Sequence, residues 1–373
     1  MKDLLDRLEG LVKKLVAALV LRLAGRPAGG AGELREEFRS ILVVRQHDQL
    51  GDMLCAVPLL KALRLRYPSA HLALVTSPVN HAIMLHNPLL DAVLLYDKKL
   101  FLKSPSAAAR FWRELRALRA ELAVVPATVS FSLTSDLLAI ASGARERLGG
   151  ATLNGEPNSV SGCYTMRVNL DWRATPRRHQ ALRNADILAP LEIAAEDIST
   201  VIGLTATERE DAAAQLRDVR QRHAVLVGFH PGAGKPANRW PAERFAEVAN
   251  RMAREGRGVV ITAGPMDDEQ LARMLPLLEA QPLVIERRPL RQVAAIIDRL
   301  DLFISNDTGI MHVAGATETS LLALFGPTDP LQWAPVGRKN RFLASPDGDI
   351  RSLSVDEVAN TAALQLQEKN LNK

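Results

Sequence analysis

Asp48 and Asp52 lie four residues apart around Gly51, directly after the apolar run Ile41-Leu42-Val43-Val44. The carboxyl end of a buried strand is where open α/β sheets bind and react with ligands. A second set of residues with chemical capacity occupies four short loops in the second half of the chain. They are His230-Pro231-Gly232-Ala233-Gly234-Lys235, Ala263-Gly264-Pro265, Asn306-Asp307-Thr308-Gly309 and Gly326-Pro327-Thr328-Asp329. Each follows a short apolar strand pattern, so a parallel sheet would bring all four to one edge. Small residues let backbone N–H groups approach a ligand. A helix starting near Ile310 adds a partial positive charge, and Lys235 and Arg239 add full ones. Any single glycine here also fits a plain turn; the four loops with their cations suit a diphosphate. No G-x-G-x-x-G or G-x-x-x-x-G-K-[ST] fingerprint occurs at these loops, which argues against a nicotinamide dehydrogenase or a P-loop ATPase. No Asp-x-Asp pair is expected near the phosphate loops, and no cluster has zinc-ligand spacing.

Alternating strands and helices position these residues. The pattern predicts strands at 41–44, 71–76, 91–96 and 122–125, with helices at 53–67 and 105–119. Residues 154–202 are turn-rich, with a helix expected at 179–191, and the domain crossover belongs there. Beyond it, strands are predicted at 224–229, 258–262, 283–285, 302–304 and 321–325. Helices are predicted at 207–222, 242–255, 267–278, 290–300 and 310–317. This is an α/β chain with two doubly wound, Rossmann-like domains, at 40–195 and 205–350. A last helix within 353–373 is expected to pack back on the first domain.

Four segments carry a family resemblance: ILVVRQHDQLGDMLCAVPLLKALRLRYP, GFHPGAGKPANRWPAERFAEVANRM, VVITAGPMDDE and DLFISNDTGIMHVAGATETSLLALFGPTDPLQW. They resemble the family 9 glycosyltransferases, the ADP-heptose:lipopolysaccharide heptosyltransferases and their relatives, over roughly residues 40–365. The resemblance implies a GT-B fold, with two Rossmann-like domains facing a central cleft, the donor nucleotide on the second and the acceptor on the first. It also implies an inverting, metal-independent transfer without a cofactor, ADP-heptose or another nucleotide sugar being the donor substrate. Asp52 is the implied base, and Gly51 keeps its loop slim enough for a sugar to approach. Asp48 is on the acceptor side, read as a loop residue or helix cap rather than as the base; Asp52 could itself be only the N-cap of the following helix.

On the donor side, Thr308 and Gly309 should hold phosphates, and Lys235 or Arg239 should neutralise the leaving diphosphate. Asp307 should contact sugar hydroxyls, and Glu286 a ribose. His312 either contacts phosphate or packs in its helix. His230, Gly232 and Gly264 complete the donor loops. Other readings stay open: another GT-B enzyme acting on a protein or a different glycan, or a nucleotide-sugar-binding module without catalysis.

The chain has 373 residues and is 47% apolar but only 4% aromatic, so Leu, Val and Ala must fill its cores. Cys55 and Cys163 read as small buried hydrophobes rather than a disulfide. The formal charge is +5, and residues 1–26 hold six Lys/Arg against three acids. There Leu4, Leu8, Leu11, Leu15 and Leu19 make an apolar helical stripe too short in its uninterrupted run to cross a bilayer. Two readings stand: a helix docked on protein, or one lying on the cytoplasmic face of an inner membrane. The stretch 26–32 reads as its linker. Arg110, Arg113, Arg116 and Arg119 recur every third residue beside Phe111 and Trp112. They are either a solvated face or a contact for an acidic lipopolysaccharide-type acceptor. No nucleic-acid-binding signature accompanies the charge.

Overall fold

The computed structural model describes residues 37–46 and 49–371, together with Arg22. The expected N-terminal helix and linker, and Asp48, lie outside the described residues. Two compact units emerge. The first holds the described residues before Asp48, Cys55–His81 and Pro88–Ile198; the second holds Gln49–Leu54, Ala82–Asn87 and the chain from Ser199 onward.

The first unit is built on a mainly parallel sheet of β1 (Ser40–Arg45), β2 (His71–Thr76), β3 (Ala92–Leu95), β4 (Leu122–Val125), β5 (Glu146–Leu153), β6 (Glu156–Pro157) and β7 (Met166–Leu170). Its order is β3-β2-β1-β4-β5-β6, with β7 also pairing β5. All six residues of β1 and all four of β4 are buried, because helices cover both faces and the strands must be apolar on both sides. The order reverses beside β1, so the loops after β1 and β4 form the crevice of this sheet. Arg45 ties the two strand ends: its guanidinium donates to Pro126 O at 3.2 Å and Thr128 Oγ1 at 3.3 Å.

The helix expected over 53–67 is two helices, Leu50–Leu54 and Val57–Arg66. Pro58 has no N–H to close the bond to the carbonyl four residues back, so the first helix ends before it. The helix expected at 179–191 is α-helical only over Gln180–Ala185 and continues as a 3-10 turn, Asp186–Leu191, that contains Pro190. Arg119 leaves the arginine-bearing helix, which ends at Ala117; its φ is +46°, past the helix end.

β5 was not visible as a strand because Gly149 and Gly150 interrupt it. A Cβ on Gly149 would sit 2.1 Å from the Tyr164 ring, so the glycine is the space into which Tyr164 packs. The Tyr164 hydroxyl donates to Asp136 Oδ1. Asp136 is 2% exposed, and burial pushes its carboxyl up to about 6. Cys163 is also buried, its thiol pushed up to about 12 chiefly by desolvation.

The second unit has an all-parallel sheet of β8 (Leu226–His230), β9 (Gly258–Ala263), β10 (Leu283–Glu286), β11 (Leu302–Asn306), β12 (Ser320–Phe325) and β13 (Asn340–Ala344). Its order is β10-β9-β8-β11-β12-β13, so the reversal lies between β8 and β11. The crossover is fastened by Arg291. Its guanidinium donates to Ala82 O at 3.0 Å, Leu85 O at 2.9 Å and Gly203 O at 2.7 Å, and pairs with Glu208 at 2.5 Å. That pairing holds the Glu208 carboxyl down at about 2. The C-terminal helix, Val355–Leu371, expected on the first domain, belongs to the second unit. It buries Val358, Ala359, Ala362 and Leu366 in the core of the second, and Gln365 donates to Leu321 O at 3.0 Å. Its apolar stripe specified a buried face but not which sheet would cover it. Among the described residues no helix is long and apolar enough to cross a membrane.

Asp136 supplies a stability test. Its folded carboxyl titrates above the usual value of 3.8, so its stabilising contribution is present below that value and is lost as pH rises through about 6. Asp136→Asn keeps an acceptor for Tyr164 and removes the buried charge. The variant is expected to gain on the wild type by roughly 2–3 kcal/mol between pH 4 and pH 7.5, read by urea unfolding at both values. An equal difference at the two pH values would contradict it.

Candidate functional site

The carboxyl edge of the second sheet carries a pocket of about 360 Å³, within the range that holds small ligands. The loop after β8 contributes Gly234, Lys235 and Asn238 to it; the loop after β11 contributes Asp307, Thr308 and Gly309; and Thr328 and Trp333 follow β12. The helix Gly309–Gly315 adds His312. The remaining wall is Gln49, Leu50, Gly51 and Asp52, from the short helix that the second unit includes.

That wall stands close because two glycines permit it. A Cβ on Gly51 would lie 2.8 Å from His312 Cδ2, and one on Gly309 would lie 3.2 Å from Leu50 Cβ. Asp52 is 8% exposed and falls within the first turn of helix Leu50–Leu54, not before it, so it is not the N-cap of that helix. Gly51 is thus constrained by the His312 ring, a contact that its role in slimming a loop did not anticipate.

Asp307 is held from two sides. Asn238 Nδ2 donates to its Oδ2 at 2.8 Å, and Thr328 also bonds to it. Burial raises its pKa, opposed by the Thr328 bond and by the charge of Lys235. Thr308 precedes the helix with an extended backbone, and its side chain makes no capping bond. The helix has only seven residues, so its dipole is small and Lys235 is the main positive charge of the lining. His312 is 5% exposed and stacks edge-on against Trp333, with ring centroids 6.4 Å apart.

Three of the four loops converge here. The Ala263-Gly264-Pro265 loop does not line the pocket, nor do His230, Gly232, Arg239 and Glu286. His230 is the last residue of β8 and is buried, with Nδ1 3.0 Å from Thr262 O and Nε2 3.5 Å from Asp267. Desolvation lowers its pKa, and the Asp267 charge opposes the shift. Asp267 also accepts from Gly264 N at 2.7 Å, and a Cβ on Gly232 would collide with it at 1.9 Å. These three expected donor residues therefore form an Asp267-centred network that braces the loops. Arg239 turns back to donate to Ala233 O at 2.8 Å, which leaves Lys235 as the cation in the lining. Glu286 ends the edge strand β10 and is exposed. Arg110 and Arg113 are exposed on the first unit, in helix Pro105–Ala117.

Asn238, Trp333 and Asp267 were not singled out from sequence. Asn238, between the loop and Trp240, was the one with a local signal. One negative expectation needs correcting: Asp347-Gly348-Asp349 is an Asp-x-Asp pair beside the loop after β12, where a Cβ on Gly348 would lie 3.9 Å from Pro327 Cα. Its carboxylates are engaged locally, Asp349 by Arg351 at 2.7 Å and Asp347 by Ser352 at 2.6 Å. Among the described residues, no group of three or more His, Cys, Asp or Glu is placed to hold a metal.

The family described as glycosyltransferase family 9 (heptosyltransferase) matches residues 108–358. Lipopolysaccharide heptosyltransferase 2 of Salmonella typhimurium is 35% identical over 124 residues, 32% of this chain; the chain spans only 36% of the length of that relative. A family 9 glycosyl transferase structure from Veillonella parvula superposes with a TM-score of 0.77 at 26% identity, covering 89% of this chain and 98% of the other. The structure of Escherichia coli ADP-heptose lps heptosyltransferase II superposes with a TM-score of 0.71 at 22% identity, covering 89% and 99%.

The Gly51–His312 contact generates a prediction. Gly51→Ala should displace the imidazole or the Asp52 helix and lower kcat/KM roughly 10²-fold, as misplacement near reacting groups does. In a His312→Ala background the methyl group has room, so Gly51→Ala should add little to the loss. Kinetics of the two single variants and the double variant on a nucleotide-sugar donor decide it; fully additive losses would contradict it.

Proposed function

The chain belongs to glycosyltransferase family 9, the heptosyltransferase family, and from that premise we propose that it moves heptose from ADP-heptose to a lipopolysaccharide-core type acceptor. The observation that carries the reading is the meeting of Asp52 with Lys235, Asp307, Thr308 and Gly309 in one pocket. A carboxylate opposite a diphosphate cradle is what an inverting transfer requires.

In the proposed reaction the donor diphosphate lies along the backbone of Thr308 and Gly309, beside Lys235. Asp52 takes the proton of the acceptor hydroxyl as its oxygen attacks the anomeric carbon. The bond from that carbon to the diphosphate oxygen breaks on the opposite face, and ADP leaves with the electron pair. Lys235 offsets the charge that develops on the leaving group, the task a metal performs in other transferases. Asp307, fixed by Asn238 and Thr328, accepts from hydroxyls of the donor sugar. Trp333 and His312 bound the space left for that sugar. The Salmonella typhimurium relative is named a lipopolysaccharide heptosyltransferase, which supports the acceptor class. A cytoplasmic location, peripheral at the inner membrane, follows as part of the same proposal.

Asp52→Ala is expected to lower turnover about 10²–10⁴-fold, the usual contribution of a general base. ADP binding, read by calorimetry, should stay near the wild-type value, because Lys235, Thr308 and Gly309 remain. Near-normal turnover in this variant would refute the assignment of the base.

Transfer is also expected to proceed unchanged in excess EDTA, because Lys235 supplies the charge at the leaving group. Loss of activity in chelator, restored by a divalent ion, would point instead to Asp347 and Asp349.

A further inference from the structure

We propose that the helix Lys98–Lys103, with the neighbouring strand-end loops of the first unit, is a docking face for an anionic phospholipid surface. It rests on the proposed transfer to a lipid-borne acceptor and adds a membrane contact outside the pocket. The helix follows β3 at the carboxyl edge of the first sheet, and none of its side chains is buried, so it contributes little to the core. It is nevertheless anchored. Asp97 caps it, accepting from Lys99 N at 2.9 Å and Leu100 N at 3.0 Å, and the Phe101 ring packs 5.2 Å from Phe111 and 5.4 Å from Tyr96.

With Phe101 turned inward, helical geometry puts Lys99 and Lys103 on the outermost line and Leu100 and Leu102 on its two flanks. Leu102 is 88% exposed and Leu100 40%. Lys98 donates to Thr134 Oγ1 at 3.1 Å, joining this helix to the one that starts at Leu133. Leu133 is 40% exposed, and Val129, in the loop after β4, is 69% exposed. Isolated exposed apolar residues are ordinary. Here four come from two connections at one sheet edge, those after β3 and β4, around three lysines, and Asp97 accepts from the first N–H groups of the helix. Leucines that flank an outward row of lysines match an anionic bilayer, whose headgroups meet the lysines while the leucines lie against the acyl boundary.

The test uses the full chain with Leu102→Cys labelled by an environment-sensitive fluorophore; Cys55 and Cys163 are buried and leave the label site-selective. Vesicles containing phosphatidylglycerol at low salt should shift the emission to the blue. Phosphatidylcholine vesicles should not, nor should either lipid shift the same label at Gln215→Cys on the second unit. Lys99→Glu/Lys103→Glu should weaken vesicle binding at least roughly tenfold, given about fivefold per lysine, and leave turnover on a soluble acceptor fragment unchanged. An unshifted label at position 102 while the protein sediments with vesicles would overturn the proposal and place the contact elsewhere. An unchanged affinity in the charge-reversed variant would overturn it too. No shift on any lipid, with a shift on adding an acidic protein, would replace the membrane with a protein partner. Failure of the wild type to transfer heptose, with the label still responding to vesicles, would refute the proposed function and leave this contact standing.

Discussion

The pocket depends on one close approach, that of helix Leu50–Leu54 to helix Gly309–Gly315. Gly51 faces the His312 ring and Gly309 faces Leu50, and a single added carbon on either side meets atoms at 2.8 or 3.2 Å. Van der Waals contact at that range tolerates no methyl group without movement of a helix or a ring. Asp52 follows Gly51 directly, so its distance from the loop Asp307–Gly309 is set by that contact. The short helix therefore belongs with the second unit although it follows a strand of the first, and Pro58, in the first turn of the next helix, keeps the two from running together.

Behind the pocket, the loops owe their shape to buried polar residues. Asn306 donates to Pro231 O at 2.9 Å and accepts from Trp240 N at 3.0 Å, joining the end of β11 to the loop after β8. Asp267 performs the same service for the loops after β8 and β9. Loops without regular structure leave many backbone groups unpaired, and in a buried strand-end layer these bonds satisfy them. The residues that hold the loops and those that face the pocket are thus largely different residues, though adjacent in sequence.

That division explains what the sequence disclosed. Asp52, Lys235, Asp307, Thr308 and His312, which line the pocket, were singled out by the family resemblance together with small and charged residues in loops that follow apolar strands. His230, Gly232 and Gly264 carried the same signature and proved to be bracing. Their hub, Asp267, opens an ordinary helix, and its role arises only when two loops fold over it. Trp333 was unreadable for the related reason that an aromatic residue near the end of a loop packs far more often than it lines a site. The strand pattern was clear where burial on both faces made continuous apolar runs, as in β1, β9 and β12. It failed at β5, where Gly149 makes room for Tyr164, a partner fifteen residues onward that no local rule anticipates.

Two carboxylates share the pocket with one lysine, and their surroundings separate them. Asp307 is bound on one side by Asn238 and on the other by Thr328, with Lys235 near enough to oppose the effect of burial. Bonds from two neighbours fix its orientation and leave a lone pair for a hydroxyl, which suits recognition of a sugar. Asp52 stands on a separate helix, so the proposed proton transfer does not draw on the group that holds the donor. Placing both tasks on one carboxylate would require an atom that is rigid enough to orient a ligand and basic enough to accept its partner's proton. At Asp307 the bond from Thr328 and the charge of Lys235 oppose burial without cancelling it, so its pKa stays raised. Separate elements, held together by the Gly51–His312 contact, let the two proposed tasks fall to two residues.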